Sequence, residues 1–222
     1  MLYRTLELTV APALRVIYRP LVTGLEHVPP TGPVIFAANH ISFADEIFTP
    51  LAARRQIVYF AKAEYFTAPG LRGKAMAAFF HGLGQVPVAR ADTRSAAAVI
   101  DIGVEVLRQG RALGIYPEGT RSPDGRLYKF RTGIARAALR SGAAVIPVGL
   151  VGTREVQPPG EHRWHRGPVE VHFGAPLRFA DRAAEERSSR VLREITDQVR
   201  VAVQKLSGQE YVDAYASSAT GT

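Results

Sequence analysis

From residue 34 to residue 173, short apolar runs of strand length alternate with longer stretches of helical period, a pattern that leaves few folds open. Val34 opens a run that stays apolar through Ala38, as expected of a strand buried on both faces. Further strand-like runs occupy 57–61, 85–89, 112–116, 144–150 and 169–173. Helical stretches follow Ser42 and fill 69–80, 95–107, 132–139 and 188–206. The expectation is an α/β chain.

The two ends read differently. Residues 1–22 are apolar but interrupted by Arg4, Glu7, Pro12, Arg15 and Arg19, so they contain no unbroken apolar span of about 20 residues. The early acid at Glu7 and the lack of a small-residue cleavage site also argue against a secretory signal. Leu2, Leu6, Val10, Ala13, Leu14, Ile17 and Leu21 recur at spacings of three or four. That is an amphipathic helix, lying either in a membrane interface or against its own domain. The expected organisation is an N-terminal helical segment at 1–28, one domain at 29–210 opening on the turn Pro29-Pro30-Thr31-Gly32, and a disordered tail at 211–222. The polar stretch 151–168, with two histidines and Trp164, reads as a loop over one face of the sheet and has no assigned role.

Composition narrows the chemistry. The chain has no cysteine, which excludes disulfides, thiol nucleophiles and thiolate metal sites. A net charge of +8 favours a polyanionic partner: nucleic acid, anionic lipid or a phosphorylated substrate. The arginines are scattered and no nucleic-acid reading motif occurs, so nucleic acid is not expected.

Two constellations carry chemistry. In Asn39-His40-Ile41-Ser42-Phe43-Ala44-Asp45, the apolar run before His40 places it in a strand-to-helix loop, and Ser42 as N-cap would put Asp45 in the first helical turn. From there the carboxylate can reach back to one imidazole nitrogen and leave the other to take a hydroxyl proton. Ser42 and Asp45 equally match a helix capping box, in which the acid bonds only a backbone amide. The second constellation, Tyr116-Pro117-Glu118-Gly119-Thr120-Arg121-Ser122, follows a strand and precedes the turn Pro123-Asp124-Gly125. Gly119 permits close backbone approach, Thr120 offers a hydroxyl, and Arg121 carries a planar fork suited to phosphate oxygens. Taken alone, it could equally be a solvated turn.

Together with Gly84-Gln85-Val86-Pro87-Val88-Ala89-Arg90 and Val145-Ile146-Pro147-Val148, these segments closely resemble the four ordered motifs of the glycerolipid acyltransferase family, in particular the bacterial 1-acyl-glycerol-3-phosphate acyltransferases. Tyr116 stands where the family commonly has phenylalanine. The resemblance, from about residue 33 to 173, implies an α/β fold with a mixed central sheet flanked by helices. It also implies an acyl-CoA or acyl-carrier-protein donor, direct transfer to lysophosphatidic acid to form phosphatidic acid, and no metal or organic cofactor. His40 and Asp45 would be the catalytic pair. Lys62, Arg90, Glu118, Gly119, Thr120 and Arg121 would bind the acceptor, and the Pro147 motif would shape the pocket. The implied location is the anionic cytoplasmic surface of the cell membrane, held peripherally. Glycerol-3-phosphate or another lysolipid is the alternative acceptor, and a non-catalytic anionic-lipid-binding protein is the alternative of a different class. A serine hydrolase is disfavoured because no Gly-x-Ser-x-Gly occurs, and nucleotide binding because neither Gly82-Leu83-Gly84 nor the Gly70 to Lys74 stretch completes a phosphate-binding motif.

Overall fold

The computed structural model describes residues 2–88, 93–161 and 163–217. In chain order the strands are β1 (Leu21–Thr23), β2 (Val34–Ala38), β3 (Ile57–Val58), β4 (Phe60–Lys62), β5 (Val86–Val88), β6 (Ala112–Ile115), β7 (Leu127–Tyr128), β8 (Ala144–Val151), β9 (Glu170–Phe173) and β10 (Tyr211–Val212). The α-helices are α1 (Leu2–Tyr18), α2 (Asp45–Ala53), α3 (Glu64–Thr67), α4 (Gly70–Gly82), α5 (Thr93–Arg108), α6 (Gly133–Ser141), α7 (Thr153–Val156) and α8 (Ser189–Ser207).

A six-stranded mixed sheet in the order β1-β9-β8-β2-β6-β3 forms the centre. Strands β3, β6, β2 and β8 are parallel, while β9 runs against β8 and carries β1 parallel to itself. The α/β expectation is therefore met. β2 is central and buried throughout, which is why its sequence is apolar without alternation. Its side chains still divide by face. Ile35 and Ala37 pack with α6 and α8 through Ile134, Ala138, Leu192 and Ile195, whereas Val34, Phe36 and Ala38 pack with Phe48 and Leu51 of α2.

Several boundaries differ from the sequence reading. The run expected as one strand at 57–61 is divided at Tyr59, because its backbone turns from β6 towards β5. Tyr59 N–H donates to Gln85 Oε1 at 3.0 Å, its carbonyl accepts from Val86, and β4 then pairs with β5 in a separate small sheet. Leu21–Thr23, assigned to the N-terminal segment, is an edge strand of the main sheet. The tail expected from 211 begins with folded chain: Tyr211–Val212 pairs with Leu127–Tyr128, Lys129 Nζ bonds Asp213 at 2.9 Å, and Ala216 is buried. Low-complexity composition misses this because backbone pairing is indifferent to side-chain type. Pro147 lies within β8, and both it and Leu206 of α8 would stand 3.0 Å from a Cβ on Gly174.

Helix α1 lies against its own domain on one face and leaves another exposed. Ala11, Leu14 and Tyr18 pack on the core, while Leu8, Val16 and Ile17 are exposed at 77%, 70% and 50%. Among the described residues, no helix is long and apolar enough to cross a membrane.

Candidate active site

The two chemical segments meet because β2 and β6 are adjacent parallel strands, with Ala37 in register with Ile115. Loops leaving the carboxyl ends of neighbouring parallel strands emerge side by side, the usual place for a site in an open α/β sheet. Asn39 ends β2 by substituting its amide for a backbone: Nδ2 donates to the Leu150 carbonyl at 2.9 Å and Oδ1 accepts from Leu150 N–H at 2.8 Å. The main chain is thereby released from the ladder, and the next residue, His40, stands at the rim of the sheet.

His40 Nδ1 lies 2.9 Å from Asp45 Oδ2. The histidine side chain is 12% exposed and the aspartate 0%. The same Oδ2 accepts the N–H groups of Ile41 and Ser42, each at 2.8 Å, and Oδ1 accepts the Thr153 hydroxyl at 2.6 Å. Asp45 thus bonds the Ser42 amide and the imidazole with the same oxygen. Ser42 itself is not the helix cap. α2 starts at Asp45 after Ala44, and Ser42 Oγ donates to the Gln157 carbonyl at 2.7 Å. With Nδ1 committed to a carboxylate, Nε2 is the nitrogen presented for proton transfer.

The ring is fixed from a second direction. Tyr116 stacks on His40 with centroids 3.9 Å apart and planes 13° from parallel, and Tyr59 stacks in turn on Tyr116 at 5.4 Å. Gly114 is what admits Tyr59, because a Cβ there would lie 2.1 Å from its ring. Both tyrosine hydroxyls are buried and make no well-formed hydrogen bond among the described residues, although they lie close enough to interact with each other and that of Tyr59 with Thr49, and burial pushes both phenols above their ordinary range.

Glu118, expected among the acceptor-binding residues, has both carboxylate oxygens committed to backbone amides. It is 0% exposed, and its two oxygens accept the backbone N–H groups of His40 and Tyr128, each at 3.0 Å. Burial raises its carboxyl to about 7, against the opposing pull of those two amides. Gly119, at φ 80°, turns the chain outward so that Thr120 is half-buried and Arg121 exposed. A Cβ on Gly119 would come within 2.7 Å of Arg131 Nε, which places a second exposed guanidinium against this turn. Lys62 closes β4 in register with Val88 of β5. Arg90 lies outside the described residues.

Sequence reasoning missed the contribution of 151–168. That stretch is not a bare loop: α7 presents Thr153 to Asp45, and Gln157 grips Ser42 and, at 3.3 Å, the Phe43 amide. Arg154 donates to the carbonyls of Ser122 and Pro123 at 3.1 and 2.8 Å, tying the same element to the second constellation. No spacing rule connects residue 153 to residue 45.

The acyltransferase family model matches residues 19–151, which contain His40, Asp45 and the whole 116–122 loop. The chain belongs to the acyltransferase family. It is similar to the chloroplastic 1-acyl-sn-glycerol-3-phosphate acyltransferase of Arabidopsis thaliana, at 34% identity over 162 residues, or 72% of this chain and 44% of that one. A 1-acyl-sn-glycerol-3-phosphate acyltransferase of Borreliella burgdorferi is 33% identical over 113 residues, 51% of this chain and 43% of its own. The chain thus spans less than half the length of these relatives. The crystal structure of the 1-acyl-sn-glycerophosphate acyltransferase PlsC of Thermotoga maritima superposes with a TM-score of 0.66 at 25% identity, over 92% of this chain and 82% of that one. The acyltransferase fold therefore extends past the matched segment into β9 and α8.

Proposed function

We propose that this acyltransferase moves a fatty acyl group from acyl-CoA or acyl-carrier protein to the free hydroxyl of 1-acyl-glycerol-3-phosphate, forming phosphatidic acid. The observation that carries the reading is the His40 imidazole held through Nδ1 by Asp45 at 2.9 Å, which leaves Nε2 outside that bond on a side chain that is 12% exposed. The names of the relatives point to the same acceptor. In the proposed step His40 Nε2 takes the hydroxyl proton as the acceptor oxygen bonds the thioester carbonyl carbon. The tetrahedral adduct then collapses with cleavage of the C–S bond, and the thiolate takes the proton from the imidazolium. Asp45 stabilises that imidazolium without accepting its proton. The scheme calls for no metal or organic cofactor, because base and orienting acid both come from the chain.

Arg121, with Arg131 beside it, would grip the acceptor phosphate, as a planar guanidinium can through paired charge-assisted bonds. The exposed apolar residues Leu8, Val16 and Ile17 of α1 and Leu71 and Phe79 of α4 suit a peripheral position on the anionic cytoplasmic membrane surface, where the lipid acceptor resides. The test is steady-state transfer of radiolabelled acyl-CoA to lysophosphatidic acid. A folded His40→Ala variant should lose at least about 100-fold in kcat, the usual contribution of a general base. Retention of near wild-type turnover would overturn the mechanism.

A further inference from the structure

An open cavity of about 380 Å³ lies where the carboxyl ends of α1 and α2 converge. Arg15, Arg19 and Arg54 line it together with the apolar Val22, Leu25 and Leu51, and no acidic residue is among its lining. Arg15 Nη2 donates to the Leu51 carbonyl at 3.0 Å, which ties the two helices together and leaves its other donors for the cavity. Val16, Ile17 and Leu21, sequence neighbours of the lining residues Arg15, Pro20 and Val22, are all at least half exposed. α2 has nine residues, so at 1.5 Å per residue its Arg54 end stands about 13 Å from the Asp45 end. The cavity is thus distinct from the catalytic pair.

Arg19 and Arg54 share a second property. Among the described residues, they are the non-glycine positions with positive φ, at 44° and 51°. Each ends a helix in the left-handed conformation, with its N–H bonded to Arg15 and Pro50 respectively. Glycine fits such a position without a Cβ penalty, and a long side chain there costs stability. The chain accepts that cost twice, at two places separated by 35 residues in sequence (54 minus 19), to put guanidinium groups into one cavity.

We infer that this cavity binds the phosphate headgroup of an anionic membrane phospholipid through Arg15, Arg19 and Arg54, and so seats the carboxyl end of α1 on the bilayer. The inference rests on the membrane reading of α1 given above. Three cations beside the apolar Val22, Leu25 and Leu51, with exposed aliphatic residues next to them in sequence, match a ligand whose phosphate continues into glycerol and acyl chains. A free phosphate would have no use for the apolar part.

The test uses the full chain and vesicles of phosphatidylcholine with or without phosphatidylglycerol. The variant is Arg19→Gly with Arg54→Gly, which leaves the Arg15 bond to Leu51 in place. A double variant of equal charge change elsewhere, Arg108→Gln with Arg190→Gln, is the control. The glycine pair should melt no lower than wild type, because each substitution relieves left-handed backbone. It should bind phosphatidylglycerol vesicles about 30-fold more weakly, as expected for two basic residues near an anionic surface. It should keep wild-type kcat on a detergent-dispersed acceptor, and the control pair should change vesicle binding far less. Equal loss in the control, or wild-type binding by the glycine pair, would overturn the inference. So would displacement of wild type by inorganic phosphate at concentrations too low to screen charge. Failure of the wild type to bind anionic vesicles at all would instead bring down the membrane reading itself.

Discussion

Glu118 holds His40 by its backbone: a buried carboxylate oxygen accepts the His40 N–H at 3.0 Å, and Ser122, four residues on, donates its own N–H to the His40 carbonyl at 2.7 Å. His40 is therefore clamped at both main-chain groups by the loop that also carries Arg121. Glu118→Gln places an amide NH₂ against one of two backbone N–H donors. The variant should lose about 1–3 kcal/mol of stability. It should lose kcat with little change in acceptor KM, because the loop and not a ligand is disturbed. Thermal unfolding and steady-state kinetics separate the two, and a change confined to KM would return Glu118 to the acceptor site.

The pH dependence of stability follows from the same residue. Its carboxyl ionises near 4.5 in the unfolded chain and about 7 in the fold. The folded state therefore holds the proton more tightly, its contribution is complete below pH 4.5, and it is lost as pH rises towards 7. Unfolding free energies of wild type minus Glu118→Gln should decline across that window and level off above it. A difference that rises with pH there would show that the two amide bonds outweigh burial.

Asp45 accepts three donors on Oδ2 and one on Oδ1, so its substitutions should part company. Asparagine can keep its oxygen towards His40, Ile41 and Ser42 and turn its NH₂ to Thr153, whose hydroxyl can accept instead of donate. Asp45→Asn should fold yet lose at least about 100-fold in kcat, since the imidazolium loses its counter-charge. Asp45→Ala strands four donors and should fail to fold stably. Thr153→Val should cost about 1.5–3 kcal/mol, the value of a hydrogen bond to a charged group. Urea unfolding with activity measurements on the three variants would expose any other order.

The Tyr116 hydroxyl is buried near that of Tyr59 and makes no well-formed hydrogen bond among the described residues, while its ring stacks on His40. Tyr116→Phe keeps the stack and removes the orphan group, so it should be at least as stable as wild type, by up to about 1 kcal/mol, with kcat retained. Tyr116→Ala removes the ring and should lower kcat. Loss of turnover in the phenylalanine variant would instead assign the hydroxyl a part in the reaction.

Arg121→Ala should reduce kcat/KM for lysophosphatidic acid about 10- to 150-fold, corresponding to one lost charge-assisted interaction. The KM of the thioester should barely move. A monoacylglycerol has no phosphate for this side chain to hold, so wild type and variant should use it equally poorly. Equal damage with both acceptors would make Arg121 a support of the loop.

The sequence by itself determined the alternation that makes an α/β sheet, because burial on two faces demands an unbroken apolar run such as 34–38. It determined the His40–Asp45 contact too, since the two are five residues apart and one loop closes the distance between them. Only the tertiary structure decided what surrounds that pair. Thr153 reaches Asp45 across 108 positions and Glu118 reaches His40 across 78, and such contacts leave no periodicity or spacing to read. The backbone bonds of Glu118 were hidden for the same reason: in a loop sequence an acid beside glycine and arginine looks like a ligand, and only the fold shows both of its oxygens committed to backbone amides. The strand at Tyr211–Val212 was likewise invisible, because its partner at Leu127–Tyr128 is fixed by where α8 ends and not by its own composition. Local chemistry is written in neighbouring residues, whereas the support that holds it depends on which distant segments the sheet brings together.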